Sequence, residues 1–281
     1  MLNLTNEFTR VAPHEKKKIQ LLSSVMVCHI DESALFQEQS GTVQHLESMM
    51  KEQYPNMEFK HHRMEDIFKD EFMGTSDFDQ VLKCVDDANK KDNEHLVQFL
   101  QADQSNAPAD HGERLRLLFS NIIKNTSKES LYWHLKMTML LTIARREGCS
   151  FIFMGDSSTL QAIKMISMTS QGRGYSIPFD VGVENDTSFK DLVILRPMKD
   201  MLAKEIAYYN TIVGLNKYVV APTNWATKMP AKSSIERLTE DFIVSLDKDF
   251  PSTVSTISRT ASKLTPSKNL DLQRTCAICS L

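Results

Sequence analysis

The chain has 281 residues, of which 41% are hydrophobic and 25% are charged, a composition typical of a folded protein with one large α/β domain or two small domains. Its net charge of −3 excludes a general attraction to nucleic acid, so any such contact needs a local basic patch. The five cysteines form no dense framework, and no apolar run approaches the ~18 residues of a membrane span or forms the core of a secretion signal, so we expect a cytosolic protein with reduced thiols.

The first predicted strand is the apolar and β-branched run at 24–30, which ends at Asp31. Beyond it the pattern predicts helices at 35–53, 77–101 and 113–124, a second strand at 57–62 and a polar loop at 101–110.

Thr126 and Glu129 have the spacing of a capping box. We therefore predict a helix that runs from Thr126 to Gly148, a residue suited to the left-handed position after a helix end. The next strand is FIFM at 151–154, and the following helix starts at Asp156 or Ser157.

The last third of the chain repeats the alternation of strand and helix. A strand at 191–197 precedes a helix that Gly214 ends, and Ser233 with Glu236 forms a second capping box. One face of the helix after 197 carries Leu202, Ile206, Tyr209 and Val213. One face of the helix after the capping box carries Ile235, Leu238, Phe242 and Leu246. We predict a final helix at 252–264.

Because strands alternate with helices, we predict an α/β fold with a parallel sheet that helices cover. Ligands of such sheets bind beyond the carboxyl ends of the strands. Those ends are Asp31, Gly155-Asp156 and Arg196, and we expect them to share one rim.

Two readings of this rim are open. The groups could clamp a phosphate, a nucleotide or an RNA backbone, because hydroxyls and amides at a helix N-terminus and nearby cations favour anions. The stretch is also an ordinary strand-to-helix turn, with a carboxylate at 156 that would repel phosphate and a glycine at 172 that ends a helix. The candidate binding residues are Gly155, Asp156, Ser157, Ser158, Gly172, Arg173, Gly174, Arg196 and Lys199.

Two features of the C-terminal part also leave alternatives open. Cys276 and Cys279 have the spacing of two zinc ligands, but a zinc site needs four, so the pair is half of a zinc module or two free thiols. Residues 251–281 hold the bases Arg259, Lys263, Lys268 and Arg274 against one acid, Asp271. This segment either lies on RNA phosphates or is a solvated surface.

Four stretches together resemble the cytoplasmic tRNA 2-thiolation protein 2 family, and the resemblance runs from about Ser24 to the C-terminus. They are GDSSTLQAIKMIS at 155–167 with GRG at 172–174, RPMKDMLAKEIAYYN at 196–210, FPSTVSTISRTASKL at 250–264 and CAIC at 276–279. The resemblance implies a PP-loop ATPase-like, Rossmann-like parallel sheet with C-terminal helices. It implies a degenerate domain over 1–265 that lacks the first strand and its loop, and a tail over 266–281.

The resemblance also implies a function. A member of this family would be a subunit needed for 2-thiolation of the wobble uridine, as 5-methoxycarbonylmethyl-2-thiouridine, in the cytoplasmic tRNAs for lysine, glutamate and glutamine. Its partners would be tRNA, the catalytic paralogue cytoplasmic tRNA 2-thiolation protein 1 and a thiocarboxylated ubiquitin-like modifier, with no membrane. ATP would be used by the complex rather than by this chain, and zinc at the cysteine pair is the one metal considered.

Departures from the active pattern favour a non-catalytic partner. The sequence has no Ser-Gly-Gly-x-Asp-Ser loop to cradle pyrophosphate, and the catalytic paralogue's cysteines have no counterpart in NTSKESLYWHL at 125–135. Active relatives carry a Gly-His where this chain has Gly155-Asp156. The alternatives are that the chain is itself a sulfurtransferase or nucleotidyltransferase acting on tRNA, or that it is a truncated product without a stable fold.

Overall fold

The computed structural model describes residues 1–9, 22, 24–73, 110–189, 191–250 and 252–266. The predicted helix at 77–101 and the pair Cys276 and Cys279 lie outside these residues. No described helix combines the length and the apolar character that crossing a membrane requires.

Helices and strands alternate along the described chain. The helices are α1 Leu2–Thr9, α2 Thr42–Gln53, α3 Asp70–Met73, α4 His111–Ser120, α5 Asn125–Arg146, α6 Ser158–Ser170, α7 Ile177–Val181, α8 Ala203–Ile212, α9 Ile235–Asp249 and α10 Thr253–Ala261. The strands are β1 Met26–Asp31, β2 Glu58–Arg63, β3 Phe151–Phe153, β4 Glu184–Asn185 and β5 Val193–Leu195. Short 3-10 turns lie at Gln37–Gln39, Met64–Phe68, Gly174–Ser176, Asn216–Tyr218 and Ala231–Ser233.

The strands form two hydrogen-bonded groups. β1 pairs in parallel with β2, from Met26 opposite Glu58 to Asp31 opposite Arg63. β5 lies between β3, which is parallel to it, and β4, which is antiparallel. The four predicted strands and their parallel pairing are confirmed. The sequence did not predict β4, because two residues are too short to show a period.

Helix α5 joins the two groups of strands through separate faces. One face carries Leu135, Met139 and Ile143 into a cluster with Ile30 of β1 and residues of α4. The opposite side carries Leu141 and Ala144 against Leu192 and Ile194 beside and within β5. Each fully buried Leu or Ile of this kind stabilises the fold by roughly 1.5–3 kcal/mol, so α5 is the central element of the described core.

The predicted C-terminal ends of two helices are confirmed, whereas two predicted N-terminal caps are wrong. Gly148 and Gly214 follow α5 and α8 with positive φ angles of 67° and 75°, as predicted. The two predicted capping boxes are wrong. α5 begins at Asn125 after an N-cap residue without a side-chain cap, and α9 is capped by Ser234, one residue after the predicted cap Ser233.

The side chains of the first predicted box serve a different helix. Thr126 Oγ1 accepts a hydrogen bond from the Ile235 amide at 3.1 Å, and Glu129 Oε1 accepts one from Ser234 Oγ at 3.1 Å. The start of α5 therefore binds the start of α9. A capping pattern read from local spacing cannot reveal this, because the partner lies more than one hundred residues away.

Candidate functional site

The carboxyl ends of β3 and β5 meet, as the sequence predicts. Asp156 follows β3 and Arg196 follows β5, and Arg196 Nε lies 3.4 Å from Asp156 Oδ2. Both residues are buried. The prediction that Asp31 shares the rim of the same sheet is not confirmed, because Asp31 ends β1 in the other group of strands. There its Oδ1 accepts a hydrogen bond from the Ser33 amide at 2.9 Å.

A second cation also neutralises Asp156. Lys164, two turns into α6, places its Nζ 2.9 Å from Asp156 Oδ2. The same ammonium lies over the Trp133 ring, 4.2 Å from its centroid. The carboxylate of Asp156 therefore lies between the cations of Lys164 and Arg196. Its charge is balanced within the fold, so no ligand is needed to neutralise it.

Arg196 and Lys199, expected to offer free charges at the rim, are engaged inside the fold. Arg196 is 2% exposed, and its Nη1 donates to the carbonyls of Phe179 at 3.2 Å and Gly182 at 3.1 Å. Lys199 is 8% exposed and donates to Ser262 Oγ at 2.7 Å. The prediction that these two side chains are free to bind an anion is wrong, because both already donate hydrogen bonds within the chain.

The start of α6 is likewise occupied by its own chain. Ser157 Oγ accepts from the Leu160 amide at 3.2 Å, and both the amide and the Oγ of Ser158 donate to Met201 O, at 2.8 and 3.1 Å. A Cβ built on Gly155 would meet no atom within 4 Å. Because these hydroxyls and the Ser158 amide already form hydrogen bonds within the chain, few donors remain for a phosphate. The structure therefore favours an ordinary strand-to-helix turn over a phosphate site at residues 155–158.

The Gly172-Arg173-Gly174 segment closes α6 and turns the chain. Gly172 has a φ of 77°, its amide donates to Thr169 O at 3.0 Å, and the Arg173 amide donates to Met168 O at 2.8 Å. This hydrogen-bond pattern is that of a Schellman helix end. The prediction that Gly172 terminates a helix is confirmed, and the turn leaves the half-buried Arg173 side chain beside a cavity.

That cavity, called the polar cavity below, lies between the starts of α5 and α9 and the end of α6. Its volume is about 130 Å³. Its charged and aromatic lining residues are Glu129, Tyr132, Trp133, Lys164, Arg173, Asp180 and Glu236. Of these seven residues, the sequence singled out only Arg173 as a binding candidate.

Burial sets the electrostatics of the polar cavity. It raises the pKa of Glu129 to about 7, the hydrogen bond from Ser234 opposes that shift, and the charges of Glu236 and Glu240 add to it. Burial also raises the pKa of Glu236, against the pull of Lys164.

Two further groups are shifted by burial in this region. The pKa of Asp180 is raised by burial, although Arg173 is the largest of the charges that oppose this. The pKa of His134 is lowered to about 4, by burial first and then by the charge of Arg173. His134 is therefore neutral at pH 7 and does not compete with Arg173 for an anion.

The carboxyl of Glu129 is only half satisfied. The residue is 6% exposed, and Ser234 donates to its Oε1. Its other oxygen, Oε2, is buried with no hydrogen-bond partner among the described residues. Such an orphaned acceptor beside a cavity marks a place where a donor group gains a hydrogen bond.

The donor set does not fit a metal in the described part of the chain, where no group of three His, Cys, Asp or Glu residues is placed to hold an ion. Zinc at Cys276 and Cys279 stays a prediction, since both lie outside the described residues.

The sequence missed most of the polar cavity because its residues come from separate helices. Glu129, Lys164, Asp180 and Glu236 lie far apart in the sequence, in ordinary helical stretches that carry no motif for binding. Only the tertiary contacts of α5, α6, α7 and α9 bring them together. Glu129 stood out in the sequence, but as a cap for its own helix.

Comparison with known proteins finds similarity to one family over part of the chain. The family model described as Cytoplasmic tRNA 2-thiolation protein 2 matches residues 234–281. The chain is 39% identical to Cytoplasmic tRNA 2-thiolation protein 2-A of Xenopus laevis over 180 residues, which are 64% of this chain and 35% of that protein. It is 40% identical to the Homo sapiens protein 2 over 158 residues, 56% of this chain and 30% of that protein. The chain spans about a third of the length of these relatives.

A solved structure shows a similar fold. It is the U34-tRNA thiolase NcsA from Methanococcus maripaludis with its 4Fe-4S cluster, with a TM-score of 0.55 and 14% sequence identity, covering 92% of this chain and 70% of that chain. The likeness confirms the predicted PP-loop-type α/β fold with parallel strands.

Proposed function

We propose that this chain belongs to the cytoplasmic tRNA 2-thiolation protein 2 family, to which it is similar, and that it is a subunit needed for 2-thiolation of the wobble uridine in cytoplasmic tRNA. The tRNAs would be those for lysine, glutamate and glutamine, and the product 5-methoxycarbonylmethyl-2-thiouridine. The name that its relatives share supports both the reaction and the compartment.

We further propose that the subunit acts as the non-catalytic partner of the catalytic paralogue, which would transfer sulfur from a thiocarboxylated ubiquitin-like modifier. One observation carries this proposal: Asp156 is neutralised inside the fold by Lys164 and Arg196. The start of α6 is also occupied, by Met201 O. A rim that is closed by its own chain supports a scaffold role better than a site that activates ATP.

In this proposal, Arg173 is the binding candidate that remains on the described surface. Arg196 and Lys199 hold the loop after β5 in place, through the carbonyls of Phe179 and Gly182 and through Ser262. Arg173 lines the polar cavity and is half-buried. A guanidinium in that position can contact a phosphate of tRNA while its stem stays packed.

The test separates the scaffold role from catalysis. Cells without the protein should lose 2-thiouridine in the three tRNAs, measured by mass spectrometry of digested tRNA, and the wild-type gene should restore it. The purified chain alone should hydrolyse no ATP, whereas its complex with the paralogue should thiolate tRNA. Ser157→Ala in this subunit should leave that rate within about twofold, since its hydroxyl only caps α6.

The opposite outcomes support the alternative that the chain is itself a sulfurtransferase or nucleotidyltransferase. ATP turnover by the lone chain that Ser157→Ala abolishes would overturn the scaffold role. A persulfide trapped on Cys276 or Cys279 would do the same, and zinc bound there in a metal analysis would instead support the zinc module. Normal 2-thiouridine after deletion of the gene would remove the thiolation function altogether.

A further inference from the structure

We propose that the polar cavity binds a single nucleobase that carries an exocyclic amino group, presented by an unpaired nucleotide of the tRNA. This inference rests on the proposed function, because tRNA is the source of the base. The base would be guanine, adenine or cytosine, and therefore a different one from the uridine that is modified, since uracil has no amino group.

The size of the cavity limits its occupant to one ring system. Its volume of about 130 Å³ is close to that of an engineered cavity of roughly 150 Å³ that holds benzene. Pockets that enclose whole drug-sized ligands are larger, about 300–1,000 Å³. A base therefore fits inside, while its ribose and phosphate stay at the opening.

The acidic side of the cavity selects for hydrogen-bond donors. Glu129 Oε2 is buried without a partner among the described residues. Glu236 lies close enough for its charge to act on Glu129, and it also lines the cavity. A carboxylate accepts from the amino group of cytosine, and it can accept two parallel bonds when a base offers adjacent donors, as guanine does. Uracil offers a single donor, N3–H, between two carbonyl oxygens, so a carboxylate that accepts from it also faces an oxygen that repels it.

The cavity also has apolar walls and a cation for the rest of the nucleotide. Trp133 and Met168 line it and provide the aromatic and thioether surfaces on which a base can stack. Lys164 is held by Asp156 at 2.9 Å, so it contributes little free charge. Arg173 lines the same space and suits the phosphate of the bound nucleotide.

A metal ion is a poorer fit, because the described acids of the cavity do not form a three-ligand group. A cationic side chain from a protein partner would also satisfy Glu129, but it would leave the aromatic wall and Arg173 without a role. The combination of carboxylate, aromatic ring and guanidinium therefore points to a base with an attached phosphate.

The experiment measures binding of the 5′-monophosphates of guanosine, adenosine, cytidine and uridine to the full chain in complex with its paralogue, by calorimetry at about pH 8. This pH lies above the pKa of about 7 of Glu129, so that its carboxyl is an ionised acceptor. At least one of the three amino-bearing nucleotides should bind at least tenfold more tightly than uridine monophosphate. Glu129→Gln should weaken that binding about tenfold, because the amide keeps an acceptor for Ser234 but replaces one carboxylate oxygen with a donor. Where this variant does not fold, Glu236→Gln tests the same acidic side.

The matched control is Glu240→Gln. Glu240 is close enough to raise the pKa of Glu129 but pairs with Arg237 at 2.6 Å and does not line the cavity. Glu240→Gln should therefore change the affinity for nucleotides less than twofold. Equal binding of uridine monophosphate, or an unchanged affinity of Glu129→Gln and Glu236→Gln, overturns the proposal.

Two further outcomes separate this inference from the proposed function. If no nucleotide binds but deletion still abolishes 2-thiouridine, the nucleobase site is wrong and the thiolation role stands. If agmatine binds while no nucleotide does, the cavity holds a cationic side chain and the inference is wrong as well. If deletion leaves 2-thiouridine normal, the proposed function fails, whatever the cavity binds.

Discussion

Ser234 and Glu129 are joined by a buried hydrogen bond of 3.1 Å, from the serine hydroxyl to the carboxylate Oε1. The same hydroxyl oxygen accepts from the Arg237 amide at 3.0 Å and so caps α9. One side chain therefore caps the start of α9 and ties α9 to α5 through Glu129, which lines the polar cavity. The stability of the fold and the shape of the cavity depend on the same contact.

Ser234→Ala should lower the free energy of unfolding by about 1–3 kcal/mol, because it removes an N-cap and leaves Glu129 Oε1, like Oε2, without a donor among the described residues. The measurement is urea unfolding followed by circular dichroism. Ser233→Ala is the matched control: its Oγ is buried without a partner among the described residues, so its loss should cost less than about 0.5 kcal/mol. Equal losses in the two variants would show that Ser234 is not the cap.

Glu129→Gln should change how stability depends on pH. Burial raises the pKa of this carboxyl in the folded protein to about 7, so the folded state holds a proton that the unfolded state releases near pH 4.3. Stability therefore falls as pH rises from about 4.5 to about 7, and the full penalty is present above that window. At pH 8 the variant should be more stable than the wild type by about 3–4 kcal/mol, an advantage that shrinks as the pH falls to about 4.5.

Unfolding free energies of both proteins at several pH values between 4.5 and 8 provide the check. Asp180 and Glu236 also have raised pKa values, but they are present in both proteins and largely cancel in the difference. A difference that stays constant across this range would mean that Glu129 is not protonated by burial.

The elements whose patterns are local were predictable, and those that depend on distant partners were not. The strands β1, β3 and β5 were evident as apolar runs. Gly172 was evident as a helix end because glycine readily takes the positive φ that follows a helix. The capping boxes failed because Thr126 and Glu129 serve α9 rather than α5.

The candidate site shows the same division. Spacing along the chain correctly placed Asp156 and Arg196 at neighbouring strand ends, and it gave no sign that the two would neutralise each other inside the fold. Charge in a sequence does not reveal burial. A free cation and a buried structural one look alike until their partners are known, which is why Arg173 and Arg196 appeared equivalent.

Gly172→Ala should destabilise the protein by about 1 kcal/mol, because its φ of 77° lies in the left-handed region that a side chain disfavours. Gly155→Ala is the matched control. A Cβ at that position meets no atom within 4 Å and the backbone needs no positive φ, so the change should stay within about 0.5 kcal/mol. Thermal or urea unfolding distinguishes the two. A large loss at Gly155 would mean that the turn needs a glycine for a reason other than space.

Arg196→Met and Arg173→Ala should have opposite effects on stability and tRNA binding. Arg196→Met leaves Asp156 with Lys164 alone and removes the donor to the carbonyls of Phe179 and Gly182, so it should cost about 3 kcal/mol of unfolding free energy. At temperatures where it remains folded, its complex with the paralogue should bind tRNA within about twofold of the wild type.

Arg173→Ala should behave in the reverse way, with stability within about 0.5 kcal/mol and tRNA affinity lowered about tenfold, because a guanidinium that contacts phosphate contributes chiefly to binding. Filter binding at a fixed salt concentration gives the affinities, since phosphate contacts weaken with salt. Lys204→Met, which breaks the more exposed pair with Asp247 at 3.1 Å, controls for the loss of any one positive charge and should change neither quantity by much. If Arg196→Met weakens tRNA binding as strongly as Arg173→Ala in folded protein, the buried guanidinium takes part in binding, and the division between structural and binding cations is wrong.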